Sequence, residues 1–152
     1  MSERYGVMDR APVLSPVPLP AQLTSFIGRT REAAEVRQLL TSSRVVTLTG
    51  AGGCGKTRLA LRVASDLTEY YTGSVGWVDL ASLADPALVP HAILKSLNAV
   101  ERPGRAPLDL VLDLIRDQRL LLVLDNCEHL ADACAEFAQA ALSDAPEVTL
   151  LA

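Results

Sequence analysis

The sequence predicts an α/β fold, a parallel sheet sandwiched by helices, on three observations. Apolar residues make up 49% of the chain, mostly Leu, Ala and Val, with one Trp, three Tyr and two Phe. That mix suits helices packed on a buried sheet better than an all-β sandwich. Strand-like runs alternate with stretches whose apolar residues recur every three or four positions, the pattern of crossovers joining parallel strands. Finally, Leu120 to Leu124 is an aliphatic run without alternation, as a strand covered on both faces requires.

The elements follow in order. Prolines at 12, 16, 18 and 20 make residues 1–21 a flexible, polyproline-like arm or linker. From Ser25-Phe26-Ile27-Gly28-Arg29 a helix is expected, with Ala33, Val36, Leu39 and Leu40 on one face, ending around Thr41 to Ser43. Val45 to Thr49 is β-branched and reads as a strand; Leu59, Ala60, Val63, Ala64 and Leu67 then return to helical spacing. Val75 to Leu80 is the second strand. Asp85-Pro86, a cap and a first-turn proline, opens a helix to about Asn98. Glu101 to Pro107 is a loop, and Leu108, Val111, Leu112 and Ile115 repeat at helical spacing. The third strand, Leu120 to Leu124, closes on Asp125. A helix over about Leu130 to Leu142 precedes a fourth strand, Val148 to Leu151, inside which the chain is expected to be cut.

A chain of 152 residues suits one domain with a sizeable core. The net charge is -4, and no run of Lys or Arg offers a footprint for nucleic acid or anionic lipid. The N-terminus has no apolar core of signal-peptide length and no apolar stretch is long enough to span a membrane, so a cytoplasmic protein is expected. Cys54, Cys127 and Cys134 form no CxxC, which fits a reducing compartment. Cys127, His129 and Cys134 have no fourth partner at a recognised ligand spacing, and His91 stands alone.

The most informative stretch is TLTGAGGCGKTRLA, Thr47 to Ala60. Gly50, Gly52, Gly53 and Gly55 would weaken any regular element, yet they lie between an expected strand and an expected helix. Gly50, four residues, then Gly55-Lys56-Thr57 is the phosphate-binding loop pattern in its proper setting. Residues without Cβ let backbone N–H groups turn in around an anion, while the following helix presents free N–H groups and its positive end. Contacts to a nucleotide are therefore expected from Gly50, Ala51, Gly52, Gly53, Cys54, Gly55, Lys56, Thr57 and Arg58. Lys56 would reach the β- and γ-phosphates, and the Thr57 hydroxyl would ligate magnesium. Cys54 sits beside a helix N-terminus, a setting that can make a thiol oxidisable; a small residue tolerated in the loop is the plainer reading.

Asp125 ends the third strand where open α/β sheets bind ligands and is the expected second magnesium-side group; alone, such an aspartate would more often cap a helix or form a turn, and the glycine loop upstream reverses that reading. Glu128 reads either as a catalytic base or water-orienting group, or as an acid favoured at the start of the last helix.

FIGR at 26–29, the glycine loop, VGWVDLASLADPALV at 75–89 and LLLVLDNCEHL at 120–130 together resemble the ATPase module of STAND-class P-loop NTPases, related to NB-ARC domains and found in large bacterial transcriptional regulators. The resemblance covers about residues 22–152 and implies a partial domain of that kind, an N-terminal fragment of a larger protein. It implies that Ile27, Gly28 and Arg29 lie near adenine and ribose, that ATP or ADP is held with Mg2+, and that the fourth strand sits between those carrying the loop and Asp125. Many relatives carry a second acid where this chain has Asn126, which implies slow hydrolysis. Helical and winged-helix partner domains downstream are implied too, with no direct nucleic-acid contact by this segment. A small P-loop kinase or fast NTPase is the enzymatic rival, although Arg102 and Arg105 make a meagre lid. A non-binding remnant or interaction scaffold is the third reading.

Overall fold

A computed structural model describes residues 14–22, 28–72 and 74–152. Helix α1 (Thr30–Ser42) leads to strand β1 (Val45–Val46), helix α2 (Lys56–Asp66) and strand β2 (Val75–Asp79). A 3-10 turn, Pro86–Leu88, runs into α3 (Val89–Ser96); α4 (Pro107–Ile115) and β3 (Leu120–Asp125) follow. A second 3-10 turn, Glu128–Leu130, leads into α5 (Ala131–Asp144) and then β4 (Val148–Leu151). The four strands are all parallel in the order β1-β4-β3-β2. Thus β4 lies between β1 and β3, as the resemblance implied.

The sheet is buried on both faces, which explains the unbroken aliphatic run of β3. Leu120, Leu122 and Leu124 point into the layer formed by α3, α4 and α5, while Leu121 and Val123 point into the layer of α1 and α2. Each of these five is 3% exposed or less. Alternation of side chains across a strand thus serves two apolar cores at once.

Local signals account for most boundaries. The Asp85 side chain accepts from Ala87 N–H at 2.9 Å, which caps the turn that Pro86 opens. Pro107 begins α4 at a position where a missing N–H costs nothing. Arg44, just before β1, donates from Nη1 to Leu142 O at 3.0 Å and from Nε to Val148 O at 3.2 Å. It ties the C-terminal end of α5 and the start of β4 to β1, a link between residues about a hundred apart that no local pattern announces.

Three expectations change. Leu39 is 50% exposed rather than buried: α1 meets α2 along Ala33, Val36 and Leu40, and Leu39 falls about 60° outside that arc at ~100° per residue. Strand β1 is shorter than Val45 to Thr49, although its ladder bonds run on, from Ala152 N–H to Val46 O and from Leu48 N–H to Ala152 O. The third change concerns the expected flexible arm. Over 14–22 it is laid on the domain: Leu14 packs in the α3–α5 layer and Leu19 against the α1–α2 layer. Between them Val17 donates its N–H to Ser96 O at 2.9 Å. The arm therefore crosses from one face of the sheet to the other on the β2 side, where Val17 lines a groove with Trp77 and Asp79.

Candidate functional site

The glycine loop occupies the turn between β1 and α2, and its shape needs glycine at two positions for different reasons. A Cβ on Gly50 would stand 2.8 Å from Cys54 Sγ, so a side chain there would force the Cys54 thiol to turn away. Gly55, with φ +86°, is left-handed and starts α2, a conformation that disfavours an L side chain by about 1–2 kcal/mol. Cys54 N–H donates to Ala51 O at 3.2 Å, closing the turn. Beyond it the first-turn N–H groups of α2 have no acceptor within the helix and sit at its positive end. Such a cradle attracts an anion.

Lys56 lies across this cradle. Its Nζ donates to Gly50 O at 2.9 Å and Ala51 O at 3.4 Å and stands 3.6 Å from a Glu128 carboxylate oxygen. Thr57 Oγ1 donates to Asp125 Oδ1 at 2.9 Å, joining positions 68 residues apart. Arg29 is also close, since a Cβ on Gly55 would stand 3.6 Å from its Nη1. Gly28 and Arg29 both take left-handed backbone, φ 84° and 55°, forming the corner from which α1 departs. Ile27 lies outside the described residues, and Arg58 is exposed in the first turn of α2.

A cavity of about 340 Å³ opens between the loop and the end of β3, lined by Gly50, Lys56, Asp125, Asn126, Cys127 and Glu128 among others. A broader groove of about 660 Å³ runs along the outer side of β2, past Val17, Trp77, Asp79 and His91. The smaller cavity is the candidate site, because there the loop, a cation and a half-buried carboxylate converge.

Electrostatics follow from these positions. Burial pushes the Asp125 carboxyl above the ordinary aspartate range; the Thr57 hydrogen bond opposes the rise and the charge of Asp79 adds to it. Glu128 is held below the usual carboxylate range, first by its own backbone N–H and then by Lys56. The Cys134 thiol, hydrogen-bonded to Cys127, brings the Cys127 pKa down to about 7; the same bond, with burial, pushes Cys134 up.

The sequence reading missed Asp79 and the role of Asn126. Asp79 ends β2 directly beside Asp125 in the strand register, and Asn126 Nδ2 donates to Asp79 Oδ1 at 3.1 Å and to Asp125 Oδ2 at 3.2 Å. The only sequence signal was that both strands end in Asp, which means nothing until the strands are known to be neighbours. The histidines sit elsewhere: His129 Nε2 pairs with Leu83 O at 2.7 Å, and His91 Nε2 lies 3.7 Å from Glu101. Arg105 is paired with Asp113 on α4 and lines a different surface depression, with Arg102. Among the described residues no cluster of three or more His, Cys, Asp or Glu side chains is arranged to hold a metal.

With this geometry in place, a family model described as an AAA domain matches residues 37–150. The chain belongs to this AAA-domain family. An uncharacterized protein of Mycobacterium tuberculosis is 43% identical over 129 residues, which cover 85% of this chain and 33% of that protein. A putative HTH-type transcriptional regulator of the same species is 43% identical over 117 residues, 77% of this chain and 13% of the regulator. The regulatory protein AfsR of Streptomyces griseus is 30% identical over 131 residues, 78% of this chain and 13% of AfsR. The AAA domain described here thus spans a third or less of the length of these relatives. In fold it is similar to the ORC2 protein of Aeropyrum pernix, solved as ADPNP-ADP complexes, with TM-score 0.64 and 16% identity over 83% of this chain and 40% of that one. No helix among the described residues is long and apolar enough to cross a membrane.

Proposed function

We propose that this AAA domain binds ATP or ADP with magnesium and works as a nucleotide-controlled switch module of a larger transcriptional regulator, with slow turnover of ATP. The observation that carries the reading is the Thr57–Asp125 hydrogen bond at 2.9 Å, which holds the two expected magnesium-side oxygens together at the mouth of an anion cradle. Two oxygen ligands suit magnesium, which keeps several waters and takes the rest of its shell from phosphate.

Each residue has a defined part. Lys56 would exchange the carbonyls of Gly50 and Ala51 for phosphate oxygens, a charge-assisted and therefore stronger contact. The loop N–H groups and the start of α2 would hold the remaining phosphate charge. Thr57 and Asp125 would hold magnesium, which would supply charge neutralisation at the phosphates. Arg29, whose guanidinium lies near Gly55, would meet the nucleotide together with Ile27 and Gly28, which the family resemblance assigns with it to the base and ribose.

Slow turnover rests on what surrounds Asp125. Asn126 cannot accept a proton from water. Glu128 is held ionised beside Lys56 and is 66% exposed, which makes it a weak base and a ready counter-ion for the lysine. The regulator role is supported by the kinds of relatives in which this domain is found. Winged-helix and effector domains are expected as its partners in the cytoplasm.

Titration of a fluorescent ATP or ADP analogue, with magnesium and with chelator, tests the reading. Lys56→Ala should lower affinity by 10- to 100-fold, roughly the 1.5–3 kcal/mol of a charged hydrogen bond, while the circular dichroism stays native. Unchanged affinity in that variant sinks the site. Phosphate release on the order of one per second at saturating ATP, the low end of enzyme turnover, would make this a working ATPase instead.

A further inference from the structure

Asp79 ends β2 beside Asp125 at the end of β3, so two carboxylates meet at neighbouring strand ends, an arrangement that repels unless something intervenes. Asn126 intervenes. Its single amide nitrogen donates to Asp79 Oδ1 at 3.1 Å and to Asp125 Oδ2 at 3.2 Å, using both of its protons. The backbone of Asn126 is left-handed, φ 57°, a region in which Asn is among the few side-chain-bearing residues that are tolerated. Asp125 is thereby gripped at both oxygens, Oδ1 by Thr57 and Oδ2 by Asn126. Asp79 itself lines the outer groove and not the cavity that Asp125, Asn126 and Lys56 share.

We propose that Asp79 is a positioning residue for the magnesium side of the site, acting through Asn126 to fix the rotamer of Asp125. This rests on the nucleotide reading above. An acid at position 126 would bring a third negative charge to the same corner; the amide instead converts two repelling carboxylates into a bridged pair. The consequence is a division of labour: Asp125 faces the cation, while Asp79 anchors the turn that carries Asn126. Asp79 Oδ1 also accepts from Ala81 N–H at 3.0 Å, which fixes the anchor to the loop after β2. Outer partners of this kind set ligand orientation and typically change metal affinity 10- to 100-fold when removed.

The test compares Asp79→Ala, Asp79→Asn and Asn126→Ala in the full chain, reading the ratio of fluorescent-nucleotide affinities with and without magnesium. Asp79→Asn keeps an oxygen that accepts from Asn126 and Ala81; Asp79→Ala does not. The ratio should fall about tenfold in Asp79→Ala and recover in Asp79→Asn, with affinity in chelator unchanged throughout. An unchanged ratio in Asp79→Ala overturns the proposal, and so does an equal loss in Asp79→Asn, which would mean that charge and not the bridge matters. Melting of the metal-free single and double variants gives an independent readout: the losses from Asp79→Ala and Asn126→Ala should be non-additive. If the unaltered chain shows no magnesium-dependent affinity, the nucleotide reading fails by itself. The bridge is then judged on the metal-free cycle, where additive losses overturn it.

Discussion

Thr57 on α2 donates a hydrogen bond from its hydroxyl to Asp125 at the end of β3, and this contact couples the helix that follows the glycine loop to the strand that supplies the acid. Removing the hydroxyl should therefore affect the cation more than the nucleotide. Thr57→Val is expected to reduce the magnesium-dependent gain in ATP affinity about tenfold or more, with little change in chelator. Thr57→Ser should retain it. Paired isothermal titrations with and without magnesium check this, and a loss of equal size in both would show that Thr57 serves the phosphates alone.

The raised pKa of Asp125 has a definite sign for stability. Its folded-state pKa lies above its unfolded value because burial disfavours the charge. The folded state therefore holds the proton more tightly, and the ionised carboxylate weighs against folding at pH above the raised pKa; that penalty is absent below the unfolded value. Metal-free protein should therefore lose stability as pH rises through the raised Asp125 pKa, and Asp125→Asn should flatten that pH dependence while removing the magnesium dependence of nucleotide binding. In the unaltered protein, magnesium affinity should weaken as pH falls through the raised Asp125 pKa, because protons compete for the same oxygens. A pH dependence of melting that persists unchanged in Asp125→Asn would show that another group sets it.

At Gly55 the left-handed backbone, φ +86°, and the nearby Arg29 guanidinium act together. Gly55→Ala should destabilise the domain by about 1–2 kcal/mol, a fall of about 2–8 °C in melting temperature, and should weaken nucleotide binding by tilting the start of α2. Thermal melting with and without ADP reads both effects; a variant that melts and binds like the original would show that the loop tolerates a side chain there.

Cys127 lines the candidate cavity and has a pKa of about 7, whereas Cys134 is buried with its pKa raised. Alkylation by iodoacetamide should consequently favour Cys127 over Cys134, at a rate that rises with pH around a midpoint near 7, since the thiolate is the nucleophile. Replacing Cys134 with Ala removes the hydrogen bond and should shift that midpoint upward. Peptide mapping by mass spectrometry follows each cysteine separately, and equal labelling of the two would contradict the pairing.

Much of this protein was determined by sequence alone, wherever the physics acts over a few residues. The four glycines with Lys56 and Thr57 announced the tight loop that starts α2, because backbone freedom and helix N-termini are local properties. The unbroken run Leu120 to Leu124 announced a doubly covered strand, and Asp125 stood out by its place at the end of that run. Tertiary structure decided what depends on neighbours brought together from afar. Asp79 became part of the site only through the register of β2 on β3, and Cys127 found Cys134 only through the turn that leads into α5. Arg44 caps α5 across about a hundred residues, and Leu39 is exposed because α2 meets a slightly different arc of α1. The proline-rich arm reads as a free linker by composition, yet Leu14 and Leu19 find apolar layers on opposite faces of the sheet. Burial of an isolated leucine is set by the surface available to it, and that surface exists only once the sheet and its helices have assembled.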